Sequence, residues 1–168
     1  MKNKTLKGIV LGIITCLIIA CQPKKEEPTA APAVDKEQIK ADIQAMETAF
    51  SEAYNLRNMT SVVYYADDAT SYSQNKPPLV GKGAIDKSMR EEFAAFPKGN
   101  RISFTANEVF PSSDGNQLVE IGSYKVVDST NTTKASGNYM SLFEKRDGKY
   151  VCIRDMSASD MPKKEEKK

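Results

Sequence analysis

The stretch YYADDATSYS, which begins at Tyr64, holds two carboxyl groups among phenols. Asp67 and Asp68 are adjacent, and Tyr65 and Tyr72 lie on either side of them. Carboxylates beside phenols can act as general acids and bases, because each group can take up or release a proton. Short acidic side chains are also common at turns, where they accept hydrogen bonds from the backbone. The stretch is therefore a candidate for catalysis and equally a candidate for a structural corner.

The spacing of the two aspartates favours the structural interpretation. Neighbouring side chains of an extended segment point to opposite faces, so Asp67 and Asp68 are not expected to converge on one atom of a substrate. Acidic side chains that bond to a turn backbone would explain both residues without any ligand. We therefore expect ADDAT to form a corner between a helix and a strand.

The composition restricts the other chemistry that the chain can perform. The 168 residues include no histidine, which excludes Ser-His-Asp and Cys-His catalysis and every metal site that needs an imidazole. Neither a spaced cluster of metal ligands nor a glycine-rich phosphate loop occurs in the sequence, so we expect no metal and no other cofactor. Cys16 and Cys21 fall in the N-terminal segment, and Cys152 is expected to be a small buried strand residue.

Residues 1–20 have the pattern of a signal peptide. Lys2, Lys4 and Lys7 precede an uncharged apolar run that is shorter than the roughly 20 residues of a membrane-spanning helix. The run ends in Ile-Ile-Ala-Cys, which resembles the lipobox of bacterial lipoproteins. That resemblance implies that Cys21 carries lipid, such as palmitate, and becomes the mature N-terminus. We expect a protein of the bacterial cell envelope that is anchored by lipid to the periplasmic face or the cell surface.

The segments that flank the domain are short and polar. Residues 21–34 would be the lipidated cysteine and a flexible tether of Pro, Ala, Lys and Glu, and residues 163–168 a charged tail. Cleavage of the signal would remove three of 24 basic residues and leave 21 against 22 acidic ones, a net charge of −1. The basic character of the full chain is therefore no argument for nucleic-acid binding.

The hydrophobic pattern predicts helices followed by strands. Asp35 is a candidate N-cap, and an apolar stripe from Ile39 through Phe50 to Ala53 predicts a first helix. A short second helix is expected over Met59–Tyr65 and a third from Gly83. Four consecutive strands then follow, the last two joined by an Asp-Gly turn. This order predicts an α+β domain with helices on one face of an antiparallel sheet.

Three segments in this order, ADDAT, VGKGAI and DGKYVCIRDMSASDMP, resemble the NTF2-like superfamily, and most of all its SnoaL-like and DUF4440 group. The resemblance covers roughly residues 36–162, which is most of the mature chain, and we assign residues 35–162 to this domain. It implies a cone in which a curved antiparallel sheet packs on about three N-terminal helices and leaves a pocket at the open end. Proteins of this superfamily include ketosteroid isomerases, polyketide cyclases, dehydratases and binding or assembly modules without activity, so the fold does not determine the function.

The resemblance also allows the functional positions of the isomerases to be assigned. The general base falls on Ser73, the oxyanion tyrosine near Phe50 and the protonated aspartate near Ser141. None of these three residues can perform the corresponding step, because a serine needs its own activating base and Phe50 offers no hydrogen-bond donor. We therefore expect no isomerase activity.

Two functional hypotheses remain, and the serine at the isomerase base position together with the absence of histidine favours the first, which is not an enzyme. The first is a membrane-anchored domain that binds a small, largely apolar ligand or acts as an assembly module, with a homodimer through the sheet as one form. The alternative is an enzyme of the cyclase, isomerase or dehydratase kind that uses a different pocket carboxylate or tyrosine. A buried Asp or Glu with a raised pKa and a nearby donor would favour the enzyme. The candidate pocket residues are Tyr72, Ser73, Phe93, Phe104, Tyr124, Tyr139 and Arg154.

The last strand leaves the position of Arg154 open. Strict alternation would group Cys152 and Arg154 on one face and Asp155 on the other. A buried Arg154 would need an anionic partner, either Asp155, Asp160 or a ligand carboxylate. An exposed Arg154 would form no more than a surface ion pair.

Overall fold

The computed structural model describes residues 34–58 and 63–162. The predicted signal peptide, the proposed lipid site Cys21, most of the tether and the charged tail lie outside these ranges. Within the described part of the chain no helix is long and apolar enough to cross a membrane. The elements are α1 (Lys36–Asn55), β1 (Tyr65–Ser73), β2 (Leu79–Val80), α2 (Lys82–Ala95), β3 (Arg101–Pro111), β4 (Gln117–Val127), β5 (Thr133–Arg146) and β6 (Lys149–Ser159).

Helix α1 begins as the sequence predicts. The side chain of Asp35 accepts a hydrogen bond of 3.0 Å from the backbone N–H of Gln38 and so satisfies a free donor of the first turn. Ile43 and Phe50 on its apolar face are buried. The helix packs against β3, and its inner face forms one wall of the cone.

The six strands form one sheet in the order β2-β1-β6-β5-β4-β3. The four long strands β3 to β6 are consecutive antiparallel neighbours, as predicted, and β5 turns into β6 through Asp147 and Gly148, which both have positive φ. The expectation of a wholly antiparallel sheet is wrong at one place, because β1 pairs with β6 in parallel. A parallel pair needs a long crossover connection, which here includes β2, α2 and the three strands β3, β4 and β5.

The expected second helix is not seen where the chain is described. Residues 59–62 lie outside the described ranges, Val63 and Tyr64 are irregular, and Tyr65 already opens β1. Two helices are thus present in the described residues, where about three were expected. Asp67 and Asp68 consequently lie inside β1 rather than at a helix–strand corner, at an irregularity in its pairing with β6.

Strand β6 contains a β-bulge at Ile153. Cys152 pairs with Phe143 and Arg154 with Leu142, so Ile153 has no partner on β5. The extra residue reverses the alternation, and therefore Cys152 and Asp155 both face the inside of the sheet. The expectation that Asp155 lies on the opposite face from Cys152 is wrong for this reason.

Candidate functional site

The concave face of the sheet and the two helices enclose a cavity of about 250 Å³. This volume is slightly below the range of about 300–1,000 Å³ that is typical of pockets for drug-sized ligands, so the cavity suits a smaller molecule. Its wall is mixed: aromatic rings and aliphatic side chains alternate with five serines and three carboxyl groups. The carboxyl groups belong to Glu47, Glu92 and Asp155.

Four of the seven predicted pocket residues line this cavity. They are Ser73, Phe104, Tyr124 and Tyr139. Phe104 and Tyr139 pack edge to face with ring centroids 5.8 Å apart and form part of the aromatic wall. That these four residues bind a ligand stays a prediction.

Tyr72, Phe93 and Arg154 do not line the cavity. Tyr72 points to the outer face of the sheet, where its side chain is 43% exposed and its strand position pairs with Met156. Phe93 is buried in the core against the ring of Tyr54, with centroids 4.7 Å apart. Strand alternation turns Tyr72 outward, which corrects its predicted place in the pocket. Phe93 lines a neighbouring cavity of about 440 Å³ instead.

Arg154 is exposed and needs no buried anion. Its Nη1 atom donates to the backbone carbonyl oxygens of Asp68, at 3.1 Å, and Ile153. Asp68 itself forms a two-pronged ion pair with Arg146, whose Nη1 lies 2.6 Å from Oδ1. The aspartate pair of β1 is thus part of the outer surface and lies away from the cavity, although not at the predicted helix–strand corner.

The residues to which the resemblance assigns the isomerase groups, directly or approximately, all line the cavity, although their side chains differ. Phe50, Ser73 and Ser141 are part of its wall. The carboxyl groups come from other positions nearby. Ser141 on β5 pairs with Glu120 on β4 and with Asp155 on β6, and Asp155 pairs in turn with Ser71 on β1. The two carboxylates therefore flank Ser141 on its neighbouring strands.

Glu47 reaches the floor of the cavity from helix α1. It lies four residues after Ile43 and three before Phe50, on the buried face of the helix, and is only 1% exposed. The hydroxyl group of Tyr64 donates a hydrogen bond of 2.5 Å to its Oε1 atom. Burial, reinforced by the charges of Glu120 and Asp155, raises the pKa of Glu47 to about 8.

Glu120 stands next to Glu47 and is fully buried on β4. Its Oε1 atom accepts a hydrogen bond of 2.8 Å from the hydroxyl group of Tyr139. Gly122 makes this contact possible, because a Cβ atom at that position would lie 2.1 Å from the ring of Tyr139. Burial raises the pKa of Glu120 to about 7, opposed by the hydrogen bonds from Tyr139 and Glu47.

The two glutamates hold a common proton near neutral pH. Their carboxyl groups bond to each other, which raises the pKa of Glu47 and lowers that of Glu120. Two charged carboxylates in contact within a buried site would be strongly unfavourable without a cation. Neither forms an ion pair with a described lysine or arginine. Glu47 is therefore the protonated partner, and the two groups titrate as a pair.

Asp155 is the third carboxyl group of the site. Its Oδ2 atom accepts a hydrogen bond of 2.8 Å from the hydroxyl group of Tyr65. Burial raises the pKa of Asp155 above its ordinary value. The Oδ1 atom is buried without a hydrogen-bond partner in the described structure, so this carboxylate keeps a free acceptor.

The consecutive residues Tyr64 and Tyr65 connect these groups. Tyr64 donates to Glu47 on α1 and Tyr65 to Asp155 on β6, while their rings pack with centroids 4.9 Å apart. Burial raises the pKa of both phenols well above the ordinary value, so both remain hydrogen-bond donors at every physiological pH. The chemical interest of YYADDATSYS thus lies in its first two residues.

Sequence reasoning missed the two glutamates, although each had a signal. Glu47 occupies a position of the apolar stripe of α1, between Ile43 and Phe50. Glu120 shares a strand face with Leu118, which is a core residue. A charged residue within an otherwise buried pattern is rare unless it has a partner or a function, and that rule would have selected both.

The architecture corresponds to a known fold. No protein-family model matches the sequence, and no curated protein does. Solved structures do match. A candidate scytalone dehydratase from Novosphingobium aromaticivorans superposes with a TM-score of 0.63 at 14% identity, covering 74% of this chain and 86% of that one.

Two further structures support the same fold. An NTF-2 like protein of unknown function from Shewanella oneidensis gives a TM-score of 0.55 at 20% identity, with 70% of this chain and 96% of that one covered. A ketosteroid isomerase-like protein from Erwinia carotovora atroseptica gives a TM-score of 0.52 at 18% identity, with 73% of this chain and 97% of that one covered. The chain therefore has the NTF2-like fold, as its sequence motifs predict. Sequence identities this low support a conclusion about the fold and none about the function.

Proposed function

We propose that the cone binds a small molecule and that its carboxyl groups transfer protons to and from it, as in an enzyme of the cyclase, dehydratase or isomerase kind. One observation carries this proposal: carboxyl groups with raised pKa values, each hydrogen-bonded by a tyrosine, face one cavity from α1 and β6. Perturbed titratable groups that meet in a cleft are typical of active sites.

The two carboxyl groups of the cavity wall suit opposite roles. Glu47 holds a proton near neutral pH and can act as the general acid. Asp155 has a smaller shift of its pKa and a free acceptor atom, Oδ1, and can act as the general base. Groups whose environments separate their pKa values in this way can protonate one atom of a substrate while they deprotonate another. Ser73, at the isomerase base position, is not needed for this chemistry.

Binding without turnover is the second candidate. The aromatic wall, with Phe50 and Phe104 packed edge to face at 5.6 Å, favours a ligand with a ring. A purely apolar ligand would, however, gain nothing from the buried carboxyl groups, whose desolvation costs stability. This cost is the reason that we place proton transfer first.

Deuterium exchange tests the proposed chemistry. A panel of small cyclic ketones and β-hydroxy ketones, with and without an amino group, is incubated with the protein in D₂O and followed by NMR. We expect deuterium at the carbon beside the carbonyl, or loss of water, faster than in buffer. Exchange at the buffer rate for every compound, combined with ligand-induced stabilisation, would leave binding as the function.

We also propose that lipid on Cys21 anchors the domain to a membrane of the bacterial cell envelope. The support is the lipobox-like sequence at residues 18–21. Mass spectrometry of the protein from its native membrane tests this: a diacylglycerol-modified N-terminal Cys21 is expected, and the Cys21→Ser variant should lack it. An unmodified, membrane-free wild-type protein would contradict the proposal.

A homodimer through the sheet is the third proposal. Its support is a row of exposed side chains on the outer face, in which Met156 on β6 pairs with Tyr72 on β1 and with Met140 on β5. The three side chains are 43–56% exposed. Apolar side chains that form a continuous exposed patch often mark an interface.

A further inference from the structure

We infer that the cavity takes a small organic cation, an amine that is protonated in water and is attached to an aromatic or alicyclic ring. This inference rests on the proposal that the cavity is the functional site, and it names the chemical class of the molecule bound there. It is carried by the carboxyl groups of the wall, by one unsatisfied acceptor atom and by the arrangement of aromatic rings.

The wall of the cavity is rich in carboxyl groups, and among the described residues only the exposed Lys76, 4.0 Å from Glu92, lies within ion-pair distance of one of them. Glu47, Glu92 and Asp155 line it, and Glu120 lies directly behind. No lysine or arginine is among its lining residues in the described structure, and the chain has no histidine. An anionic ligand would therefore be repelled, whereas a cation would act as the counter-ion that no described lysine or arginine provides for Asp155 and the glutamate pair.

The buried Oδ1 atom of Asp155 lacks a hydrogen-bond donor from the described protein. Glu120 differs, because the protonated carboxyl group of Glu47 bonds to it. Buried acceptors are normally satisfied, and a ligand that brings N–H groups would satisfy Asp155 directly. A ligand with only carbonyl or ether oxygens would leave it unpaired.

Aromatic rings connect the two ends of the acidic cluster. Tyr65, which bonds Asp155, packs at right angles to Phe50 with centroids 6.2 Å apart. Phe50 packs on Phe104, and Phe104 on Tyr139, which bonds Glu120. An organic cation is attracted to ring faces as well as to carboxylates. A wall that combines both suits an ammonium group on a ring better than a metal ion, which would need several oxygen ligands.

Binding of a cation should release a proton. The titratable groups that face Glu47 are Glu120 from β4, Tyr139 from β5, Asp155 and Cys152 from β6, and Tyr64 and Tyr65 from the chain segment at β1. The phenols and the thiol stay neutral because burial raises their pKa. A positive ligand thus acts only on the three carboxyl groups. It favours their charged forms and displaces the proton that Glu47 and Glu120 hold in common.

Calorimetry with three probes of similar shape tests this inference. Benzylamine, benzyl alcohol and benzoate are titrated into the protein at pH 7 in two buffers of different ionisation enthalpy. We expect benzylamine to bind at least ten-fold more tightly than benzyl alcohol, benzoate not to bind, and up to about one proton to be released for each amine. Cyclohexylamine should behave like benzylamine. Equal binding of the alcohol or of benzoate, or binding of no probe, would overturn the inference.

Variants locate the site. Asp155→Asn should weaken the binding of benzylamine at least ten-fold, and Glu47→Gln should reduce the number of protons released. The matched control is Asp67→Asn, which removes an exposed carboxylate of β1 and should change neither quantity. Circular dichroism and thermal melting establish that each variant is folded. Because the probe comparison uses the wild-type protein, it decides the inference even if one variant unfolds.

The outcomes separate the inference from the proposed function. Benzylamine binding with proton release, but without deuterium exchange on any ketone, would refute catalysis and support the cation site. Deuterium exchange on neutral ketones, without amine binding, would support catalysis and refute the cation site.

Discussion

Ser141 and Asp155 lie directly opposite each other on β5 and β6. The resemblance to ketosteroid isomerases assigns their protonated aspartate to the neighbourhood of Ser141, so this chain carries a carboxyl group one strand further on. The bulge at Ile153 places Asp155 there, because without it the side chain would face outward. The same inner surface therefore holds a different set of acidic groups, with Glu120 on the other side of Ser141.

The raised pKa of Glu47 predicts a pH-dependent stability. The pKa of this carboxyl group is about 8 in the folded state and near 4.5 in the unfolded state. Between these two pH values the folded state therefore binds more protons than the unfolded state. The folded state should consequently lose stability as the pH rises from 5 to 8. Each such group contributes a slope of about 1.4 kcal/mol per pH unit at most. Urea denaturation at several pH values should show a smaller slope for Glu47→Gln.

The matched control for that experiment is Glu52→Gln on the same helix. Glu52 is exposed, so its variant should keep the wild-type slope. Identical slopes for wild type and Glu47→Gln would contradict the buried, proton-holding state of Glu47.

Because Glu47 and Glu120 interact, substitution of Glu120 should change the pKa of Glu47. Glu120→Gln removes a negative charge that raises the pKa of Glu47. The pKa of Glu47 should therefore fall below about 8, as followed by NMR of ¹³C-labelled carboxyl groups. Glu108→Gln, on the exposed side of β3, should leave it unchanged. A Glu47 that titrates alike in all three proteins would show that the pair does not interact.

Gly122 predicts a strong effect of one added methyl group. The Cβ atom of Gly122→Ala would lie 2.1 Å from the ring of Tyr139 and would push its hydroxyl group away from Glu120. We expect a loss of about 1–3 kcal/mol in the free energy of unfolding, which is typical of an overpacked core.

Gly83→Ala serves as the control for this substitution. Its Cβ atom would meet nothing within 4 Å, and alanine is favoured over glycine in a helix such as α2 by roughly 1 kcal/mol. The variant should be as stable as wild type or more so in the same urea titration. A Gly122→Ala protein of wild-type stability would mean that Tyr139 is not held as described.

The exposed side chains of Tyr72, Met140 and Met156 predict that a charge introduced among them weakens dimer formation. If Tyr72, Met140 and Met156 form a homodimer interface, Met140→Lys should shift the protein from dimer to monomer in sedimentation velocity, because a buried lysine without a partner is unfavourable. Val80→Lys changes another exposed side chain, 72% exposed on β2, and should leave the dimer intact. A wild-type protein that is monomeric at high micromolar concentration would refute the proposed interface.

Much of the fold could be predicted because its signals are local. The cap at Asp35, the apolar stripe of α1 and the Asp-Gly turn all depend on residues within a few positions of each other. The site could not be predicted in the same way. Glu47 and Glu120 are 73 positions apart in the chain and meet only because the sheet curls around the helix.

The errors in the predicted pocket have equally specific causes. Tyr72 was expected inside, but no local signal states which face of β1 is concave. Asp155 depends on a single unpaired residue, Ile153, that strict alternation ignores. Neither the parallel pairing of β1 with β6 nor the bulge leaves a pattern that can be read from one sequence.

The most direct test of the account compares Asp155→Asn with Asp67→Asn in the deuterium-exchange assay. A general base typically contributes about 10²–10⁴-fold to the rate. We expect Asp155→Asn to lose at least about 100-fold in exchange rate on an active ketone, while Asp67→Asn retains the wild-type rate. A folded Asp155→Asn protein that exchanges at the wild-type rate would contradict the central claim.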